Sequence, residues 1–109
     1  MHVTMMADKN RVLNLIRTIV REKEPEAQII LYGSRARGDY HEGSDWDVII
    51  IVNKPNIEFK ERGNLSYEVW DKGLDLGATI NAIEYTKKQW DSAPPSLFKH
   101  NVLKDAIYL

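Results

Sequence analysis

Asp45 and Asp47 flank a single tryptophan at the head of the apolar run Val48-Ile49-Ile50-Ile51-Val52, and ten residues separate them from an upstream Gly33-Ser34 pair. Side chains two positions apart on an extended strand leave the same face, so this spacing brings two carboxylates together. Out of water, such a pair repels and loses hydration. A divalent cation offsets both costs. Two magnesium ions about 3.5–4 Å apart, held by carboxylates on one strand face, clamp the attacking and leaving oxygens of a phosphoryl displacement. Magnesium keeps several waters, so two or three Asp ligands suffice. Gly33 lets the backbone approach a phosphate closely, and the turn after it aims N–H groups at the anion. Ser34 adds a hydroxyl. Arg35 and Arg37 are candidates for the outer phosphates; at least one is expected to be solvated instead, and Arg37 is the one assigned to the nucleotide. The constellation reads as a metal-plus-nucleotide site, with Asp45 and Asp47 both catalytic and metal-binding.

The plainer alternative makes Gly43-Ser44-Asp45 a turn and Asp47 a surface residue on an edge strand. Against it, no polar alternation follows Asp47, which is the pattern of an interior strand. His2, His41 and His100 are dispersed and lack metal-ligand spacing. Trp46, Trp70 and Trp90 read as core or interface anchors rather than base-stacking platforms.

The elements that must position these residues follow from periodicity and breakers. Asp8 caps a helix to about Glu24, its apolar stripe formed by Val12, Leu13, Ile16, Ile19 and Val20, and Pro25 ends it. Gln28 to Tyr32 reads as a short strand stopping at Gly33. Ser34 to Arg37 suits one helical turn, Gly38 to Ser44 a loop, and Trp46 to Val52 a central strand. Ile57 to Gly77 reads as a helix, with Gly63-Asn64 able to divide it and Gly77 supplying the stop. Thr79 to Tyr85 is a third strand. Thr86 to Trp90 starts a turn or short helix, Ser92 to Ser96 is a loop, Ser96 to about Lys104 a helix, and Ile107 to Leu109 a last strand. The order α-β-(short α)-β-α-β-α-β predicts a two- or three-layer α/β sandwich.

Bulk properties narrow the function classes. At 109 residues the chain is expected to be one domain, residues 1–109. A net charge of −1 argues against a protein that coats nucleic acid. The absence of cysteine excludes disulfides, zinc-thiolate sites and thiol catalysis. The longest apolar run, Val48 to Val52, is too short to cross a bilayer, and no signal-peptide pattern opens the chain. The cytoplasm is the expected compartment. Residues 1–5 are assigned no role.

The string Gly33-Ser34-Arg35-Ala36-Arg37-Gly38 through Ser44-Asp45-Trp46-Asp47 resembles the signature of the minimal nucleotidyltransferases, small members of the DNA polymerase beta-like superfamily. The resemblance extends over the leading helix, Tyr85 to Trp90 and Asn101 to Leu109. It implies a mixed sheet of about four strands flanked by helices, Asp45 and Asp47 as metal ligands, and Gly33 and Ser34 holding the triphosphate of ATP. The family's third carboxylate belongs on the strand after the long helix, where this chain has Asn81; Asp75 and Glu84 are the alternatives nearby. The resemblance also implies a HEPN-type helical partner protein and an antitoxin-like role, exerted by adding AMP to it.

Two functions of different classes follow. One is magnesium-dependent transfer of a nucleotidyl group, AMP from ATP, onto a partner's hydroxyl. The other is a non-catalytic module that binds the partner, favoured by Asn81. Small-molecule transfer lacks residues for a pocket, and polymerase activity lacks size and basic charge. Base preference, acceptor and oligomeric state are left open by the sequence.

Overall fold

The computed structural model describes residues 8–109; His2 and the unassigned residues 1–5 lie outside them. Asp8 accepts a hydrogen bond from the Asn10 amide and caps α1 (Lys9–Lys23), whose buried stripe is Val12, Leu13, Ile16, Ile19 and Val20. The chain continues through β1 (Gln28–Tyr32), α2 (Ser34–Arg37), β2 (Trp46–Val52), a 3-10 turn (Phe59–Glu61), α3 (Asn64–Leu74), β3 (Ile80–Thr86), α4 (Lys87–Ser92), α5 (Leu97–Asp105) and β4 (Ile107–Tyr108).

The four strands form one mixed sheet in the order β3-β2-β1-β4. β1 runs antiparallel to β2 and β4, while β2 and β3 are parallel and joined by the α3 crossover. β2 is therefore interior, with neighbours on both sides. That position explains why its residues from Val48 onward are all buried.

Strand alternation divides the core into two sides. Leu31, Trp46, Val48, Ile50 and Ile80 pack with the α1 stripe and with Leu65 and Val69 of α3. Ile30, Ile49 and Ile51 point the other way, where Trp90 of α4 and Val102 of α5 cover them. Each such side chain stabilises the fold by about 1.5–3 kcal/mol through burial. Replacing fully buried Ile16 or Ile49 by Ala would cost about 2–5 kcal/mol.

The segment from Ile57 to Gly77 is not one helix. Gly63, at φ +81°, interrupts it and precedes α3, leaving a 3-10 turn upstream and Ile57 outside any helix. Gly63 offers no side chain to cap the helix. Glu84 supplies a cap from β3, its Oε2 accepting from the Ser66 amide at 3.1 Å and the Ser66 hydroxyl at 2.8 Å. Gly73, inside α3, allows the helix to seat on β3: a Cβ there would lie 2.6 Å from Ile80 Cδ1. Thr86 and Gln89 form a reciprocal capping box on α4, and Ser96 caps α5.

Candidate functional site

The site gathers at one end of the sheet, where β1 ends and β2 and β3 begin. β1 stops at Gly33, whose backbone (φ +78°, ψ −159°) lies in a region open almost only to glycine. The turn presses against the next strand, and a Cβ on residue 33 would stand 2.7 Å from Asp47 Oδ2. Gly33 O then accepts from the Ala36 and Arg37 amides, starting α2. The first N–H groups of a helix, here beginning at Ser34, have no intrahelical partner. Glycine backbone, Ser34 and the Asp47 carboxylate thus lie together at this end of the sheet.

Asp47 is the second residue of β2, pairing with Tyr32 of β1 and Asn81 of β3. Asp45 lies one residue ahead of the strand rather than in it. The Trp46 amide donates to Thr79 O at 2.9 Å and continues the β2–β3 pairing up to that point. Asp45 is exposed and Asp47 half-buried. Asn81 joins them, its Nδ2 donating to Asp45 Oδ2 at 2.9 Å. Burial raises the Asp47 carboxyl above the usual carboxylate range, the Asp45 charge adds to this, and the Asn81 amide partly offsets it.

Tyr32 stands opposite Asp47 on β1, its ring edge-on to Phe98 of α5 with centroids 5.8 Å apart. Burial, reinforced by the Asp47 charge and by Tyr85, pushes its phenol up to about 12. The residue is missed by motif reading. Only its place on the Asp47 face of β1 marks it, and that needs the cross-strand register.

The two arginines of the signature have distinct surroundings, and only Arg37 is solvent-exposed. Arg35 is half-buried and donates Nε and Nη2 to Ser44 O at 3.2 and 3.0 Å. Arg37 is exposed and doubly paired, through Nε to Asp39 at 3.1 Å and Nη1 to Asp105 at 2.7 Å. Those carboxylates raise its pKa, the Asp105 hydrogen bond most. His41 stays in the loop, with Nδ1 3.0 Å from Glu42 O. Trp46 and Trp90 are buried anchors, whereas Trp70 is exposed beside Tyr67.

Of the alternatives for the third corner, Asp75 follows the last turn of α3, and Glu84 caps α3 from the other face of β3. Asn81 is the one beside Asp47. A cavity of about 350 Å³ opens along β3, lined in part by Ile57, Arg62, Ser66 and Glu84, and none of Gly33, Ser34, Asp45 or Asp47 borders it.

A nucleotidyltransferase domain family matches residues 13–109, nearly the whole chain. The chain belongs to that family. It is 34% identical over 82 residues to a candidate protein adenylyltransferase, MJ0604, of Methanocaldococcus jannaschii, covering 75% of this chain and 76% of that one. It is also 32% identical over 68 residues to a bifunctional uridylyltransferase/uridylyl-removing enzyme of Pseudoalteromonas translucida. That match takes 61% of this chain but spans only 8% of the larger enzyme. Among solved structures, a toxin-antitoxin crystallised with AMP-PNP superposes with a TM-score of 0.62 at 20% identity, over 87% of this chain and 69% of that one. This likeness supports the same mixed α/β fold.

The candidate site fits a divalent cation on its own chemistry. Two carboxylates share one short stretch, one is half-buried against a backbone, and the amide between them supplies hydrogen bonding but no charge. Among the described residues no cluster of three or more acidic, histidine or cysteine side chains forms a fuller cage. The remaining ligands would be water and phosphate oxygens.

Proposed function

We propose that this domain transfers AMP from ATP, with magnesium, to a hydroxyl of a HEPN-type helical partner protein. The observation that carries the reading is the Asp45–Asp47 pair, linked by Asn81 and pressed against the Gly33 turn. Family membership supports nucleotidyl transfer, and the resemblance to the candidate protein adenylyltransferase supports a protein acceptor. The toxin-antitoxin structural neighbour supports a partner chain. The cytoplasm, where ATP is available, is the assigned compartment.

Asp45 and Asp47 would hold the magnesium. When bound, that metal neutralises phosphate charge and makes the α-phosphorus easier to attack. Gly33 backbone and the Ser34 hydroxyl receive the triphosphate oxygens, which orients the α-phosphorus toward the carboxylates. Arg37 turns toward the outer phosphates; its two ion pairs use Nε and Nη1, and Nη2 makes no hydrogen bond among the described residues. The acceptor oxygen forms a bond to the α-phosphorus, the bond to the bridging oxygen breaks, and pyrophosphate leaves with that electron pair. With Asp45 and Asp47 assigned to the metal and the Asn81 amide without a basic atom, the hydroxyl proton passes to water.

A second reading is favoured by the same Asn81: a module that binds nucleotide and partner without turnover. One experiment separates the two. The protein co-purified with its bound partner is incubated with magnesium and ATP labelled at either the α- or γ-phosphate. The transferase reading expects α-label, but not γ-label, on the partner and a mass gain of one adenylyl group. A stable complex that acquires neither label would establish the binding module.

A further inference from the structure

Arg35 is the half-buried basic side chain of the signature, and the site does not account for it. Its guanidinium lies between two rings, 4.4 Å from the Tyr40 centroid and 4.4 Å from that of Trp46. Planar guanidinium on an aromatic face is a favourable pairing that lysine matches poorly. Its Nε and Nη2 converge on Ser44 O. Arg35 therefore ties the first turn of α2 to both ends of the loop from Gly38 to Asp45. Tyr40 lies near that loop's start, Ser44 is the residue before Asp45, and Trp46 is the residue after it. The buried indole N–H of Trp46 has no partner among the described residues, so packing and the Arg35 contact, not a hydrogen bond, set the ring.

We infer that Arg35 is a positioning residue for the metal site, a clamp that fixes Asp45 through the Ser44 carbonyl and the Trp46 ring, rather than a phosphate ligand. Asp45 precedes β2 and is exposed, so the strand ladder alone does not hold its backbone. The clamp adds that constraint to the Trp46–Thr79 hydrogen bond. Two guanidinium nitrogens are spent on one carbonyl, two rings lie against the guanidinium, and Nη1 alone of its nitrogens makes no hydrogen bond among the described residues. The inference rests on the reading of Asp45 and Asp47 as metal ligands.

The test is manganese binding to the free protein, read by electron paramagnetic resonance without nucleotide, beside a parallel ATP titration. Arg35→Met keeps the aliphatic stem and removes the fork, the charge and the stacking. Manganese affinity should fall by about tenfold, as loss of a supporting contact to a ligand typically produces. Arg35→Lys should recover only a small part, because it lacks the fork. Tyr40→Ala removes an exposed ring from the surface, so it tests the clamp even if Arg35→Met does not fold; its manganese affinity should also fall, by less. Unchanged manganese affinity in Arg35→Met or, if that variant is insoluble, in Tyr40→Ala overturns the inference. So does an Arg35→Met variant that binds manganese normally but loses ATP. Asp47→Asn is the internal control: if it too binds manganese like the wild type, the metal-site reading itself has failed. If it loses manganese while Arg35→Met does not, only the clamp has.

Discussion

Gly33 and Asp47 are in direct contact: a Cβ on residue 33 would lie 2.7 Å from Asp47 Oδ2, closer than real side chains pack. Gly33→Ala therefore carries two penalties, a backbone at φ +78° that alanine resists and a displaced carboxylate. The expected cost is about 1–3 kcal/mol of stability, with weaker magnesium-dependent ATP binding. Calorimetry with and without magnesium checks it. Equal ATP affinity in variant and wild type would reduce Gly33-Ser34 to an ordinary turn.

Asp47→Asn should raise the melting temperature of the metal-free protein at pH 7. The folded-state pKa of Asp47 lies above its ordinary value, chiefly through burial. Folding thus binds the proton more tightly, a contribution present at low pH and lost as pH rises through the raised value. The advantage of Asn should shrink as pH falls and the wild-type carboxyl takes up its proton. Added magnesium should reverse the order, because only the wild type gains binding energy. A metal-free variant that melts lower at pH 7 would show that the carboxylate is structural.

On the proposed reading, Asn81 stands where a third carboxylate would complete the metal site. Asn81→Asp replaces a donor to Asp45 with a third negative charge. Without metal the protein should melt lower, through repulsion. Magnesium or manganese affinity should rise by about tenfold or more, and transfer should speed up. Fluorescence-monitored melting across a metal titration reads both signs in one experiment. No change in either places the third corner elsewhere.

The Tyr32 phenol should stay protonated through the working range of the protein, with ionisation only near about 12. The nearby Asp47 charge raises it, so Asp47→Asn should move the titration downward. Carbon NMR of labelled tyrosine, with Tyr32→Phe to assign the signal, measures both. A Tyr32 signal that titrates in the ordinary tyrosine range would mean the ring is open to solvent.

Glu84 is predicted to matter for stability alone. Its carboxylate receives both Ser66 donors at the start of α3. Glu84→Ala removes that cap and should cost about 1–2 kcal/mol in urea unfolding, with manganese affinity unchanged. A loss of manganese binding would return Glu84 to the metal site.

What the sequence determined by itself was whatever depends on neighbours along the chain. The cap at Asp8 and the limits of β1, α2 and β2 follow from periodicity and breakers, and the i, i+2 spacing of Asp45 and Asp47 marks them as candidates. From Ile57 to Gly77 the apolar spacing is compatible with both a continuous and a divided helix. The left-handed backbone at Gly63 and the cap offered by Glu84 decided it. Tertiary structure also decided who meets whom. Parallel pairing of β2 with β3 sets Asn81 beside Asp47, antiparallel pairing sets Tyr32 on its other side, and the folded loop brings Ser44 and both rings to Arg35. Motif spacing puts Arg35 and Arg37 on equal terms, two basic side chains on one short turn. Burial and partners distinguish them, and those arise from contacts between segments that local spacing does not encode.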